Sequence, residues 1–197
     1  MKRADLRELH YITPIANLES IMHHGLLSKR KANSFGPESI AMEEVQVKRE
    51  NKRIPGGHYL HEYVNLYFNA RNPMLYKRKN LHAKICVLRI MPAVLGLPDV
   101  IIADGNAASD YTRFWTSVDG LDEVDDTIVF AEYWTDEDEI AEWRKKRIKC
   151  AEVLVPDRVD PQFIVGAYVS CEKAKLEVEA MNLNLHISVD PHLFFIG

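Results

Sequence analysis

The sequence predicts an α+β protein built on a largely antiparallel sheet, and three observations point there. Short strand-like runs outnumber helical ones, the two do not alternate in the rhythm of a parallel sheet, and neither an internal repeat nor a linker-like stretch divides the chain. Its 197 residues suit one domain with a sizeable core.

The elements follow in order. Residues 9–12 form a short strand that runs into Thr13-Pro14, an N-cap followed by proline at the first helical position. Leu18, Ile21 and Met22 repeat at helical spacing, and Gly25 closes that helix just past its C-cap. Residues 29–59 are polar, with one short helix over 41–49 and a turn at Pro55-Gly56-Gly57. Strands are expected at 64–68, 85–90, 100–103 and 127–130. Over 135–149, Thr135 and Asp138 stand at capping-box spacing, acids fill the first turn and bases the last, which predicts a helix. Residues 150–155 read as a short buried strand ended by Pro156, 163–169 as another, and 183–187 and 193–196 as two more.

The formal charge of −4 is unevenly spread. Residues 71–89 carry six Lys or Arg and no acid, whereas 119–142 carry eleven acids and no base. Five bases fill the six positions 144–149, where helix electrostatics is a sufficient explanation. The 71–89 run mixes bases with Tyr76, Met74 and Asn72, a combination suited to the phosphates and bases of a single strand of nucleic acid. Cys86, Cys150 and Cys171 fit neither a metal spacing nor a disulfide framework, so no metal is expected and a reducing cytoplasm is. No apolar run has the length of a membrane span, and no signal-peptide core follows Met1-Lys2-Arg3. The phosphate-loop, GxGxxG, HExxH, CxxC and GxSxG signatures are missing, which argues against P-loop NTPases, Rossmann dehydrogenases, zinc proteases and α/β hydrolases.

Glu152 is the most informative residue. On a strand it shares a face with Cys150 and Leu154 in an otherwise apolar run, where a carboxylate is costly unless it is paired or faces a cleft. The basic stretch around Arg49 is a candidate cation, or a solvated helix end. Alternation puts Tyr63, Asn65 and Tyr67 on one face of a strand and Val64, Leu66 and Phe68 on the core face, with the polar turn Asn69-Ala70-Arg71-Asn72 next. Asp104-Gly105-Asn106-Ala107-Ala108 reads as a loop.

Seven ordered blocks resemble the DarT family of toxins, which ADP-ribosylate thymidine in single-stranded DNA using NAD. They are Tyr11-Ile12-Thr13-Pro14-Ile15-Ala16-Asn17-Leu18, Ser20-Ile21 with His24-Gly25-Leu26-Leu27-Ser28, and Glu44-Val45-Gln46-Val47-Lys48-Arg49. Tyr63-Val64-Asn65-Leu66-Tyr67-Phe68, Arg71-Asn72-Pro73-Met74-Leu75-Tyr76, Asp104-Gly105-Asn106-Ala107-Ala108 and Ala151-Glu152-Val153-Leu154-Val155 complete the series. The resemblance implies an ADP-ribosyltransferase-like split, mainly antiparallel sheet with flanking helices, and NAD in the cleft between its halves. It maps the catalytic glutamate onto Glu152 and the catalytic arginine onto Arg49. The NAD-holding set becomes His10, Tyr11, Ile12, Thr13, Ser20, Arg49 and Tyr67; the family's histidine is Tyr11 here, with His10 one residue earlier. The strand would be held by Tyr63, Asn69, Arg71, Asn72, Met74, Tyr76, Lys77 and Arg78. Asn65-Leu66 stands where Pro-Phe is common in the family. The implied partners are single-stranded DNA and a DarG-like macrodomain antitoxin, with no metal and no membrane. The alternatives are the same scaffold with another acceptor (guanine, RNA or protein) and a non-catalytic nucleic-acid-binding module.

Overall fold

A computed structural model describes residues 1–116 and 118–196, apart from the side chain of Val118. The elements run β1 (Leu9–Pro14), α1 (Leu18–His24), β2 (Leu26–Leu27), α2 (Lys29–Ala32), α3 (Glu43–Asn51), β3 (Tyr63–Tyr67), α4 (Pro73–Tyr76) and β4 (Ile85–Ile90). They continue with β5 (Ile101–Ala103), β6 (Phe114–Thr116), α5 (Asp126–Val129), α6 (Glu139–Lys149), β7 (Glu152–Pro156), β8 (Arg158–Val159), β9 (Ile164–Val169), α7 (Glu172–Glu179) and β10 (Ile187–Val189). Eight strands form one sheet in the order β10-β9-β4-β1-β3-β7-β5-β6, antiparallel except where β10 joins β9. The α+β reading with a mainly antiparallel sheet therefore holds.

The sheet parts at one place. β1 pairs with β4 over six residues and β3 with β7 over five, but β1 meets β3 only at His10 and Tyr67. Beyond that pair the two strands diverge, and Tyr11 to Pro14 on one and Tyr63 to Asn65 on the other line a cleft.

The two faces of the sheet are unequal. One carries the broad core, in which Leu9, Val64, Leu66, Leu88, Ile102 and Val153 pack beneath Leu18 and Ile21 of α1 and Ala174 and Val178 of α7. On the other face the apolar residues form two separate clusters. Ile12, Tyr67, Val87, Cys150 and Phe194 make one; Ile54, Leu60, Tyr63, Ala103 and Leu154 make the second. Glu152 lies between them, registered with Tyr67 of the first cluster and Ala103 of the second. The alternation expected for 63–68 and the common face of Cys150, Glu152 and Leu154 are both present.

Four local expectations are corrected. Thr13 does not cap a helix: β1 continues through Pro14, and α1 starts at Leu18 after one 3-10 turn. The strand expected at 127–130 is helix α5, because the Asp125 side chain accepts from Ile128 N and caps a turn that the β-branched residues alone would not favour. The cap of α6 is Asp138, which accepts from Ile140 N, rather than Thr135. The last strand is residues 187–189, neither 183–187 nor 193–196; the latter is a turn in which Phe195 has φ +63°. Gly25 does end α1, with φ +84°, and a Cβ there would lie 2.5 Å from the carbonyl oxygen of Val159, so β8 can approach only a glycine.

Candidate functional site

The cleft between the parted strands has a volume of about 910 Å³, within the size range of pockets that enclose whole ligands. Arg49, carried across the face by α3, lines the cleft and is 6% exposed; Glu152, 1% exposed, lies behind it and does not itself line the cleft. Arg49 Nη1 donates to Glu152 Oε1 at 3.2 Å and Oε2 at 3.1 Å. The backbone N–H of Ala107 donates to Oε1 at 3.1 Å. A carboxylate this deep would be costly alone; the ion pair and the backbone donor are what permit it. Nε and Nη2 of Arg49 have no hydrogen-bond partner among the described residues, so its outer edge is left for a ligand.

The loop that supplies Ala107 N–H is held from two sides. Asp104 accepts from Arg147 Nη1 of α6 at 2.7 Å and from Arg113 Nε at 3.3 Å. Asn106 N donates to the Arg147 carbonyl, and Thr112 Oγ1 to the Asn106 carbonyl. Gly105 is required by the contact: a Cβ there would lie 2.5 Å from Arg147 Nη1 and 2.9 Å from Arg147 O. From the other side, Lys52, just past α3, donates to the Ser109 carbonyl and pairs with Asp110, and burial lowers its amine below the usual lysine range.

Of the residues singled out from sequence, Tyr11, Ile12, Thr13, Ser20, Arg49, Tyr63, Tyr67, Met74 and Lys77 line this cleft. Burial first, and then the Glu152 charge, push the Tyr67 hydroxyl well above its ordinary value, and burial raises that of Tyr11, so both are protonated donors at neutral pH. His10 does not line the cleft. Its Nε2 lies 3.1 Å from Glu8 Oε1, in a cluster where Glu8 also accepts from Arg89 Nε at 2.7 Å and from the Tyr168 hydroxyl at 2.9 Å. Burial alone would raise the Glu8 carboxyl, but these three bonds outweigh it and hold it at about 2.

The polar turn after β3 is engaged internally. Asn69 Nδ2 donates to the Val129 carbonyl, and its Oδ1 accepts from Arg71 N. Asn72 is buried and caps α4, accepting from Met74 N and Leu75 N. Arg71 donates to the His192 carbonyl and lies 4.1 Å from the centre of the Phe195 ring. Tyr76 packs edge-on against Trp134 and Phe195, and Arg78 donates to the Ile40 carbonyl. The fully buried Lys149, whose amine burial pulls down to about 8, completes this region by donating to the Val129 and Ala131 carbonyls.

Several cleft residues carried no sequence signal strong enough to select them. Ala107 acts through its backbone, which composition cannot reveal. Trp143, Arg147 and Cys150 also line the cleft, with Lys146 beside them. The spacing of Trp143, Lys146 and Arg147 places them on one side of α6, with Cys150 just past its end, a pattern that was legible but hidden by the helix-electrostatic explanation of the bases.

Known proteins resemble this chain in sequence and in fold. A family model described as "ssDNA thymidine ADP-ribosyltransferase, DarT" matches residues 10–195. A Thermosipho africanus DNA ADP-ribosyl transferase–DNA ADP-ribosyl glycohydrolase fusion protein is 33% identical over 202 residues, covering 96% of this chain and 50% of its own length. The chain thus spans about half the length of that relative. A Thermus sp. DNA ADP-ribosyl transferase is 29% identical over 148 residues, 68% of this chain and 69% of that protein. Among solved structures, Thermosipho africanus DarTG in complex with ADP-ribose has a TM-score of 0.84 at 31% identity, covering 96% of this chain and 51% of the other. Thermus sp. 2.9 DarT in complex with ADP-ribosylated ssDNA has a TM-score of 0.83 at 23% identity, covering 98% of each chain, a likeness of fold.

Proposed function

The chain belongs to the DarT family, and from that membership we propose that it is an NAD-dependent ADP-ribosyltransferase that modifies thymine in single-stranded DNA, as the toxin of a toxin–antitoxin pair. The observation that carries the proposal is the buried pair of Arg49, which lines a cleft of the size of whole-ligand pockets, and Glu152 directly behind it. The whole chain is read as one ADP-ribosyltransferase-like unit, supported by its single eight-stranded sheet.

Each group has a chemical task. NAD lies against Tyr11, Ile12, Thr13, Ser20 and Tyr67, with its nicotinamide ribose over Glu152. The bond between nicotinamide and ribose breaks with its electron pair going to nicotinamide, and the positive charge that develops on the ribose is stabilised by the Glu152 carboxylate. Ala107 N–H and Arg49 keep that carboxylate oriented and solvent excluded. Thymine N3 bonds to the ribose C1′ and releases its proton to solvent. Guanidinium stays charged, so Arg49 acts by drawing the thymine toward its N3 anion and holding it, using the Nε and Nη2 edge that Glu152 leaves open. A duplex would occupy N3 in pairing, which suits a single-stranded substrate. Among the described residues no group of His, Cys, Asp and Glu could hold a metal ion, and none is needed by this scheme.

The expected partner is an ADP-ribosyl glycohydrolase of the kind fused to the Thermosipho relative, carried on a DarG-like macrodomain. No helix among the described residues is long and apolar enough to cross a membrane. The free thiols of Cys86, Cys150 and Cys171 support a cytoplasmic site of action.

The test is mass spectrometry of a thymine-containing single-stranded oligonucleotide incubated with protein and NAD, beside a thymine-free strand and the Glu152→Ala protein. One ADP-ribose added to the thymine strand alone supports the proposal. Transfer only to guanine, RNA or protein moves the acceptor, and intact NAD with every acceptor overturns it.

A further inference from the structure

The pair of Arg49 and Glu152 divides the cleft. In strand order, β3 and β1 lie to one side of Glu152, and β5 with the loop that follows it lies to the other. Tyr11, Thr13 and Ser20 occupy the first side. The second side ends in a lip made by the 104–112 loop and α6, and two large aromatic rings stand there. Trp143 lines the cleft and is 47% exposed; Tyr111 is 71% exposed and packs against it edge-on, with ring centres 5.1 Å apart and planes at 82°.

Neither ring belongs to a core cluster. Two large rings paired only with each other at the mouth of a cleft bury little, so their packing does not account for their place. Cations accompany them. Lys146 lines the cleft one turn from Trp143, bonded to Glu142 in an exposed i,i+4 pair of the kind that contributes little and exchanges readily. Arg144, also exposed, makes no ion pair among the described residues. Asp110 and Glu142 are each shared with a lysine, Lys52 and Lys146, and the one exposed carboxylate a turn before Trp143, Glu139, is outnumbered by Arg144, Lys145 and Lys146. In the 71–78 segment Arg71, Asn72 and Arg78 are spent on internal contacts, and Tyr76 packs on Trp134 and Phe195, which leaves Met74 and Lys77 as its side chains at the cleft.

We propose that the paired rings of Tyr111 and Trp143, with Arg144 and Lys146, form the docking surface for the acceptor strand, with Trp143 stacking on the base adjacent to the target. The inference rests on the function proposed above and deepens it. Flat rings are tolerant of sequence, so this surface supplies affinity while Arg49 acts on the target base.

The experiment is steady-state kinetics on a thymine-containing oligonucleotide, with binding of NAD and melting temperature measured alongside. Trp143→Ala raises KM for the oligonucleotide about tenfold, the scale of one lost base–aromatic stack, with NAD affinity unchanged. Trp143→Phe restores most of it and Trp143→Leu, equally apolar but without a π face, does not. Arg144→Ala and Lys146→Ala each lower the slope of log affinity against log salt by about one. A Trp143→Ala protein that melts lower but keeps its oligonucleotide KM overturns the docking surface, as does a loss of affinity confined to Tyr76→Ala and Lys77→Ala. Wild-type protein that modifies no DNA overturns the functional reading and this one with it.

Discussion

Arg49 holds both oxygens of Glu152 through a single nitrogen, Nη1, at 3.2 and 3.1 Å. The pair is therefore complete from the carboxylate's side and half-open from the guanidinium's. Ground-state burial and a reactive edge coexist in one contact, and each consequence can be measured separately.

Removing one partner leaves the other buried and uncompensated. Glu152→Gln should abolish transfer and also destabilise the protein by about 3–5 kcal/mol, because Arg49 loses its counter-charge. Replacing both, as Arg49→Met with Glu152→Met, should recover most of that stability while activity stays absent. Thermal melts and adduct mass spectrometry on the single and double variants read the two effects.

The loop that aims Ala107 N–H at Glu152 depends on Gly105. A methyl there meets Arg147 at 2.5 and 2.9 Å, so Gly105→Ala must lift the loop off α6. A lost bond to a charged group corresponds to roughly 1.5–3 kcal/mol, so kcat should fall about ten- to a hundredfold. KM for NAD should hold, since the loop lies on the far side of Glu152 from Thr13 and Ser20. Asp104→Asn should act in the same direction with smaller size.

Asn72 provides a contrast between surface and structure. As the buried cap of α4 it should lose about 1–2 kcal/mol of stability on replacement by Ala. The affinity of the folded variant for the oligonucleotide should not change. A weaker affinity at a temperature where that variant is folded would return Asn72 to the nucleic-acid interface.

Acid should act through Glu8. Its folded carboxyl sits at about 2 against an ordinary 4.5, so the unfolded chain takes up the proton first as pH falls. The stabilisation, on the order of 3 kcal/mol, is present above about 4.5 and is lost between there and 2. Urea unfolding at pH 6 and pH 3 should show a smaller loss for Glu8→Gln than for the natural protein.

The sequence made some of this legible and hid the rest for definable reasons. Glu152 could be singled out because a lone carboxylate in an apolar strand must be paired or used, and the alternation of 63–68 marked its face. Arg49 was one cation among seven in its region until family resemblance selected it. Asn72 before Pro73 is an N-cap signal that the surrounding basic residues obscured. Residues 193–196 looked like a strand because they are apolar, but their side chains fill a cluster from a turn in which Phe195 has φ +63°. Tyr11 and His10 are adjacent in the chain and part in space, because Tyr11 stands where β1 has left β3 and lines the cleft, whereas His10 stands at the last residue pair joining the two strands and is held by Glu8.

The parting of β1 from β3 at His10 and Tyr67 bears on inhibitor chemistry. Each strand beyond that pair offers a backbone edge facing the space between them, the kind of edge that elsewhere recruits another chain. In this cleft α3 and the 33–42 segment line the space beside it, whose volume of about 910 Å³ suits a small molecule. Compounds that place an amide along that edge can bond to main-chain groups that no side-chain substitution removes, and resistance would then have to arise through the shape of the cleft walls.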